Sequence, residues 1–389
     1  MLLSFLVYTI TAGALAWLGW HANAREQRVL SAGGKHLPFY CWEIVASIVL
    51  FAIVAGARYK TGYDHIWYLS QYVQMRDYYG HFTRKDYEIG FVLISKCFAL
   101  IKAHEFFYFG FWGALQLGLF YFAFRRNKSL LLWLALIIML GGYFVGWMNT
   151  IRQVVVECAF IAMIPMCTSL KRTLVACLLA CVCATIHTSA LLVVVFLLIM
   201  WLMRDVKLSR KTSFIIYGCS VLLGIYPFWL SVLNVLKPFL ADTDYQKYIP
   251  MIDQLAAGAF RFTTWGPNHV LVVITQVIVL WYYPRVKKAC EGDVSLASFY
   301  NMALCGMCLS NLFINTSHFV LRPIEYLTLC VAVVTAYTMR TLFDQKRYIP
   351  LAILCAAALS ITYIAVFKAI YIPNEINEPF LYNILFLYR

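Results

Sequence analysis

The sequence predicts an all-α, polytopic membrane protein, and three observations support this fold class. The 389 residues are 62% hydrophobic and only 13% charged, whereas an ordinary soluble domain is about 25% charged. The mean hydropathy is +0.74, and apolar runs long enough to cross a bilayer as a helix recur along the chain. We therefore expect one integral membrane domain over residues 1–389, with about 10–12 transmembrane helices, some of them short or re-entrant.

The elements follow from the apolar runs. We predict helical spans near residues 1–20, 37–57, 105–124, 130–148, 151–169, 212–230, 267–283, 294–314, 319–339 and 348–370. The first run lacks a basic n-region and is interpreted as a retained span, not a cleaved signal peptide. Segment 88–101 is only about 21 Å long as a helix, so it is predicted to lie in the interface or re-enter. Stretch 173–203 begins and ends at basic clusters, which favours two short helices that meet at 187–189.

Short basic clusters between the runs set the predicted topology. They contain more than half of the 32 lysines and arginines: Arg25/Arg28/Lys35, Arg125/Arg126/Lys128, Lys171/Arg172, Arg204/Lys207/Arg210/Lys211, Arg285/Lys287/Lys288 and Arg340/Lys346/Arg347. The positive-inside rule places them in the cytoplasm. Loops 58–87 and 231–266 are then the main periplasmic loops, and both chain termini are periplasmic. Since topology accounts for almost all of the net charge of +14, a nucleic-acid partner is not expected.

No motif indicates a metal or cofactor. The 13 cysteines are scattered, and Cys305 and Cys308 are interpreted as packing residues because no second pair stands nearby. The sequence has no H-E-x-x-H, G-x-S-x-G, P-loop or G-x-G-x-x-G motif, so protease, hydrolase and nucleotide-binding functions lack support. We expect no cofactor and no metal.

Four arginines break the positive-inside pattern: Arg58, Arg152, Arg261 and Arg322. A guanidinium at mid-helix costs about 2.5–3.5 kcal/mol on insertion scales. Each arginine alone is explained by snorkelling to outer headgroups. Three of them at one outer depth, Arg58, Arg152 and Arg322, favour a shared anionic ligand, because a guanidinium binds phosphate oxygens with a planar fork.

Candidate bases lie beside these arginines. Asp64 and Glu88 flank the edge that carries Arg58, and His187 stands at the predicted helix break. A histidine has an unperturbed pKa near 6.5 and suits general base catalysis, although it also suits a structural role at a helix break. Glu157 lies at membrane depth and is predicted to be a structural partner of a nearby arginine.

Five segments resemble one family. They are "ARYKTGYDHIWY" (57–68), "YEIGFVLIS" (87–95), "MNTIRQVVVECAFIA" (148–162), "IHTSALLV" (186–193) and "LRPIEYL" (321–327). In this order they resemble the EpsG family of polytopic proteins from exopolysaccharide and O-antigen biosynthesis, in the Wzy-polymerase class. The resemblance spans roughly residues 45–330. The chain has Tyr63 where the family commonly has a small or hydroxyl residue.

The resemblance implies a GT-C-like glycosyltransferase, a polysaccharide polymerase in the bacterial inner membrane with a periplasmic active site. Its donor and acceptor would be undecaprenyl-pyrophosphate-linked oligosaccharides, with membrane lipid around it and a chain-length regulator as a further partner. The predicted catalytic residues are Asp64, His187 and Glu88. The predicted pyrophosphate and sugar ligands are Arg58, Arg152, Gln153, Arg322, Arg261 and Tyr68.

Two other functions remain open at this point. A flippase or transporter of the same lipid-linked oligosaccharide also needs outer arginines, although transporters commonly carry repeats and midplane charges. A membrane O-acyltransferase acting on polysaccharide would use His187 as base. A non-catalytic scaffold would have no need of arginines at one depth.

Overall fold

The protein is predominantly α-helical, which confirms the predicted fold class. A computed structural model describes residues 2–82, 87–206, 208–225, 234–235, 237–239, 246, 249–256, 266–314, 318–373 and 378–387. The chain divides into two compact units. Unit 1 comprises Met1–Trp201 and Met339–Arg389, and unit 2 comprises Leu202–Thr338.

Unit 1 contains most of the helices that the structure describes. They are α1 (Leu2–Ser31), α2 (Trp42–Gly56), α3 (His65–Gln74), α4 (Ile89–Leu100), α5 (Glu105–Ala123), α6 (Leu131–Leu140), α7 (Tyr143–Asn149), α8 (Ile151–Met163), α9 (Leu170–Cys183) and α10 (Ala190–Leu202). A π-helical turn, Met75–Tyr79, extends α3. Two short strands, β1 (Arg58–Tyr59) and β2 (Asn383–Ile384), pair antiparallel.

Unit 2 is built from α11 (Arg210–Ile225), α12 (Ile249–Ala256), α13 (Pro267–Ala289), α14 (Val294–Leu312) and most of α15 (His318–Asp344). Helix α11 packs against α13 and α14. Polar side chains join these helices: Tyr217 donates to Gln276 at 2.8 Å, and Tyr300 donates to Ser213 at 2.9 Å. Helix α16 (Tyr348–Tyr371) belongs to unit 1.

Several helices can cross a membrane. Within the described ranges, α1, α5, α13, α16 and the Leu321–Asp344 part of α15 are long and apolar enough. Segments Lys128–Leu140 and Tyr143–Asn149, which meet at 68°, meet the same standard as one bent pair. The protein is thus a multi-pass membrane protein. The expected total of about 10–12 spans, which includes shorter helices, stays a prediction.

Both unusual segments have the expected helical form. Segment 88–101 forms α4, which has 12 residues. Stretch 173–203 falls into α9 and α10, and the chain between them, residues 184–189, is non-helical. The turn contains His187, as predicted.

The core of unit 1 surrounds α8. Helix α2 packs against α5, α5 against α8, and α1 against α6. Helix α8 is buried along nearly all of its length. Beside its first turns lies an aromatic cluster that includes Tyr68, Tyr72, Phe91, Tyr108 and Trp112. These large rings pack around the N-terminal end of α8, from which Arg152 projects.

The two ends of unit 1 carry different contacts. At one end, Lys128 binds Glu26 at 2.9 Å, Arg25 binds Glu43 at 2.8 Å, and Arg340 donates to Asn127 at 3.3 Å. These contacts gather predicted cytoplasmic clusters. At the other end, Tyr382 of the C-terminal segment donates through its amide to Ser4 and through its hydroxyl to the Val54 carbonyl. The N-terminus, the start of loop 58–87 and the C-terminal segment thus share one face.

Candidate active site

The candidate site begins at a break between two helices. Helix α7 ends at Asn149 and α8 begins at Ile151, while Thr150 between them has φ −95° and ψ 57°. A break leaves carbonyls without helical partners. The Met148 carbonyl accepts from Arg58 at 3.2 Å, and the Trp147 carbonyl accepts from Gln116 at 3.2 Å. Side-chain donors therefore satisfy these two carbonyls at the break. Arg152 projects from α8 just after it.

The loop that follows α2 packs onto this break. Gly62 has φ +88°, and an added Cβ would lie 2.9 Å from the Met148 carbonyl oxygen. The position therefore requires glycine both for its backbone conformation and for the close approach. Two residues later, the Asp64 amide donates to the Asn149 side chain at 2.8 Å. The first and third motifs are thus in direct contact.

The second and fourth motifs meet through another close approach. The amides of Gly90 and Phe91, in the first turn of α4, both donate to the Thr185 carbonyl, at 2.7 and 3.3 Å. A Cβ on Gly90 would lie 2.5 Å from the Thr185 hydroxyl. Only glycine lets the α4 start approach the α9–α10 turn so closely. This contact brings Glu88 beside His187.

Glu88, Arg152 and His187 form a cluster of hydrogen-bonded charged and ionisable groups. Arg152 Nη1 donates to Glu88 Oε2, and His187 Nδ1 lies 2.9 Å from Glu88 Oε1. The Thr188 amide also donates to Glu88 Oε1, at 3.0 Å. The side chains of Glu88, Arg152 and His187 are 11%, 14% and 21% exposed. They are thus mostly buried but remain partly accessible.

The cluster keeps Glu88 ionised. Burial by itself would raise the pKa of Glu88, but it is outweighed by the hydrogen bonds from His187 and the Thr188 amide and by the Arg152 charge. Together they lower the pKa to about 2. A carboxylate only accepts hydrogen bonds, so His187 carries hydrogen on Nδ1. In neutral His187 the lone pair then lies on Nε2, which makes no hydrogen bond within the described ranges.

Aromatic rings surround the Arg152 guanidinium. Its Cζ lies 4.7 Å from the Tyr87 ring centroid, 5.3 Å from Phe91 and 5.9 Å from Tyr68. Its Nε also donates to the Tyr68 hydroxyl at 3.3 Å. Such rings attract the cation and restrict its rotamers. Nη2 makes no hydrogen bond with the residues that the structure describes, so it remains able to donate to a ligand.

The arrangement provides an oriented base beside a fixed cation. Glu88 sets the tautomer of His187 and would stabilise the imidazolium that forms when Nε2 accepts a proton. With neutral His187, the formal charges of Glu88 and Arg152 cancel. Proton transfer to His187 would therefore leave the cluster with a net positive charge, which suits a reaction that expels an anion.

Other predicted site residues lie outside this cluster. Arg58 is 1% exposed and donates to the Ala55 and Met148 carbonyls, at 2.6 and 3.2 Å. Gln153 is buried and donates to Glu157 at 2.8 Å. Asp64 is half-buried beside Asn149. That Arg58, Asp64 and Gln153 contact substrate stays a prediction.

The two remaining arginines belong to another part of the chain. Arg261 lies outside the described residues. Arg322 is in α15, within unit 2, and is half-buried. The prediction that Arg322 and Arg152 share an anionic ligand stays a prediction. Among the described residues, no group of three or more His, Cys, Asp or Glu is placed to bind a metal.

Sequence reasoning missed three residues of the site. Thr188 holds Glu88 through its backbone amide, and Tyr87 stacks on Arg152. Thr188 follows His187 and Tyr87 precedes Glu88 in the sequence. Their positions next to predicted site residues could have identified them. Gln116 is fully buried and donates to the Trp147 and Ile151 carbonyls on both sides of the break. Its isolated amide in an apolar helix gave only a weak signal.

Fold and site together define a polytopic helical membrane protein with a hydrogen-bonded Arg–Glu–His cluster. The EpsG family matches residues 42–382, nearly the whole chain. The chain therefore belongs to the EpsG family, which indicates a polymerase-like membrane protein of polysaccharide biosynthesis. No match was found among curated proteins or among solved structures. A GT-C-like arrangement of the helices stays a prediction.

Proposed function

We propose that this protein is a glycosyltransferase that polymerises undecaprenyl-pyrophosphate-linked oligosaccharide repeat units on the periplasmic face of the bacterial inner membrane. The observation that carries the proposal is the Glu88–Arg152–His187 cluster. It combines the two groups that such a transfer requires, a base for a hydroxyl and a cation for a pyrophosphate. Membership of the EpsG family supports the same class of reaction.

In the proposed reaction, a hydroxyl oxygen of the acceptor attacks the anomeric carbon of the donor sugar. The bond between that carbon and the pyrophosphate oxygen breaks, and its electron pair leaves with undecaprenyl pyrophosphate. His187 Nε2 takes the hydroxyl proton, while Glu88 holds Nδ1 and stabilises the imidazolium. Arg152 donates to the phosphate oxygens as negative charge develops on them.

Tyr68 has a positioning role in this proposal. Its hydroxyl accepts from Arg152 Nε, and its ring lies beside Tyr87 with 6.4 Å between the centroids. These contacts hold the guanidinium plane, so that Nη2 presents its hydrogens in a fixed direction. A fixed donor avoids reorganisation during the reaction, which is the source of electrostatic catalysis.

The test uses purified protein in detergent micelles with a lipid-linked repeat unit. Micelles contain no separated compartments, so a flippase would give no product, whereas a polymerase would give a ladder of lengths and free undecaprenyl pyrophosphate. An O-acyltransferase supplied with an acyl donor would instead add acyl groups to a single length. A ladder supports the proposal. Unchanged repeat units, under conditions in which the protein stays folded, would refute it.

The role of the cluster is tested in the same assay. We expect a Glu88→Gln protein to form the ladder more slowly, because the imidazolium loses its stabilising charge. The matched control is Glu291→Gln, which neutralises an exposed carboxylate in unit 2. Equal rates for both variants would remove the cluster from the reaction.

A further inference from the structure

Arg58 is a buried cation with an unusual set of partners. Within the described part of the chain it forms no ion pair with a carboxylate, although it is 1% exposed. Its Nη1 donates to the Ala55 carbonyl at 2.6 Å, and its Nη2 donates to the Met148 carbonyl at 3.2 Å. Its Cζ lies 4.8 Å from the Phe109 ring centroid. A buried charge without a counter-ion is costly unless other groups stabilise it.

Two helix C-termini supply that stabilisation. Ala55 lies in the last turn of α2, and Met148 lies in the last turn of α7. The final carbonyls of a helix carry partial negative charge and lack helical donors. The guanidinium fork therefore joins two helix ends that would otherwise present unsatisfied acceptors to each other. Arg58 satisfies these carbonyls, and their dipoles stabilise Arg58.

The Met148 end determines where Arg152 projects. The Thr150 amide donates to the Gly146 carbonyl at 3.2 Å, and Gln116 donates to the carbonyls of Trp147 and Ile151. Arg58 adds a further hydrogen bond at the break by donating to the Met148 carbonyl. Arg152 follows only four residues after Met148, so a shift of the break would move its guanidinium away from Glu88.

The C-terminal segment holds Arg58 in turn. Strand β2 pairs with β1, so that Arg58 lies opposite Ile384 in the ladder. The Leu385 amide donates to the Ala57 carbonyl at 2.7 Å, and the Tyr382 hydroxyl donates to the Val54 carbonyl at 2.7 Å. The carbonyls at the end of α2 are thus hydrogen-bonded by residues more than 300 positions away along the chain. These contacts hold the backbone at Arg58 in place and so restrict the direction of its side chain.

We propose that Arg58 is a positioning residue that fixes the α7–α8 break, and through it Arg152, and that it makes no contact with the ligand. This role for Arg58 differs from the pyrophosphate contact expected from the sequence. The kinetic test of this inference rests on the proposed polymerase function. Its structural test does not.

The structural test is backbone hydrogen exchange of the purified protein, measured on peptides that cover residues 146–152 and 57–64. Arg58→Gln should raise exchange in both regions, since the shorter, uncharged amide loses both the positive charge and the guanidinium fork that bridges the Ala55 and Met148 carbonyls. Arg58→Lys should stay close to the wild type, because an ammonium keeps the charge and can donate to two carbonyls. The control is Lys60→Gln, which removes an exposed cation from the same loop. Wild-type exchange in Arg58→Gln would overturn the inference, whatever the activity.

The kinetic test separates positioning from binding. Arg58→Gln should lower kcat on the order of 10- to 100-fold with little change in KM for the lipid-linked donor. Arg58→Lys should recover most of this loss, whereas Arg152→Lys should not recover the loss of Arg152→Ala, since a phosphate contact uses the planar fork. In an Arg152→Lys background, Arg58→Gln should cost much less than it does alone, because both act through one side chain.

The opposite pattern would show a ligand contact. A raised KM in Arg58→Lys, together with effects of Arg58 and Arg152 that multiply, would overturn the positioning role. If Arg58→Gln does not fold, the kinetics of Arg58→Lys alone test the positioning role. A large loss of kcat or a raised KM in Arg58→Lys would then contradict the inference. A wild-type protein that forms no polymer would refute the proposed function, and the exchange measurement would still test the position of the break.

Discussion

His187 Nδ1 lies 2.9 Å from Glu88 Oε1, although 99 positions separate the two residues in the chain. The contact joins the start of α4 to the turn between α9 and α10, and it gives a histidine a fixed tautomer beside a carboxylate. Arg152 binds the second oxygen of the same carboxylate. One carboxylate thus orients both the proposed base and the proposed cation.

Loss of the proposed base should slow the reaction strongly without unfolding the protein. We expect His187→Ala to lower kcat about 100- to 10,000-fold, the usual contribution of a positioned general base. The reason is that the acceptor proton could no longer pass to the ring nitrogen that Glu88 orients. Steady-state polymerisation rates measure the effect, with His81→Ala as a control, since His81 is exposed and its hydrogen bond within the described ranges is to the Tyr79 carbonyl of its own loop. Equal rates for the two variants would exclude His187 as the base.

Arg152 should be needed as a guanidinium and not only as a charge. Arg152→Ala should remove about 2–4 kcal/mol of transition-state stabilisation, or roughly 30- to 1,000-fold in rate. Arg152→Lys should also fail substantially, because the ammonium loses the planar fork. The assay is polymerisation per folded protein, with the exposed Arg126→Ala as control. A well-folded Arg152→Ala protein with the wild-type rate would contradict the assignment.

Glu88 should give the protein a pH-dependent stability. Its pKa is lowered to about 2 in the folded protein, against about 4.3 in model peptides. A carboxylate with a lowered pKa stabilises the folded state above its unfolded pKa, here by about 3 kcal/mol, and the stabilisation is lost as pH falls towards the folded pKa. The difference in thermal stability between wild type and Glu88→Gln should therefore be largest at neutral pH.

This difference should shrink as pH falls from about 4.5 to about 2, since protonation removes the charge that the variant lacks already. Differential scanning fluorimetry in detergent measures it. Glu291→Gln serves as the control, because its carboxylate is exposed. A stability difference that is independent of pH between 7 and 2 would mean that the charge of Glu88 contributes nothing.

Charge and length constrain a membrane protein strongly, so the sequence predicted several of the residues that meet in the candidate site. The parity of the basic clusters placed a turn at His187, and the length of segment 88–101 set α4 apart from full spans. Glu88 was then one of two acids at the right edge. What the sequence did not predict is which partners meet. The pairing of Glu88 with Arg152 and His187 depends on the Gly90–Thr185 approach, which is a tertiary contact.

Arg58 shows the limit more sharply. Arg58 follows an apolar run and breaks the positive-inside pattern. From the sequence, the simplest reason for an arginine at this position was contact with an anionic ligand. Its carbonyl partners come from the end of α2 and from Met148, 90 positions away. No local pattern signals that two helix ends will face one guanidinium. These contacts become visible only when the break between α7 and α8 is seen in three dimensions.

The close approach at Gly90 should be essential to the site. Gly90→Ala would place a Cβ 2.5 Å from the Thr185 hydroxyl and 2.8 Å from its carbonyl oxygen. We expect a loss of about 1–3 kcal/mol in stability and slower polymerisation, because Glu88 moves with the start of α4. Gly218→Ala is the matched control, since an added Cβ there meets nothing within 4 Å. Both effects are measured on the purified variants, and a Gly90→Ala protein as stable and active as Gly218→Ala would contradict this packing.

The most direct test of the central claim is the stoichiometry of the reaction in reconstituted protein. The amounts of new glycosidic linkage and of released undecaprenyl pyrophosphate are measured together for the wild type and for His187→Ala. The account predicts one molecule of undecaprenyl pyrophosphate for each linkage in the wild type, and almost none of either product in the variant at equal protein. Linkages without release of the lipid pyrophosphate, or equal product from both proteins, would contradict it.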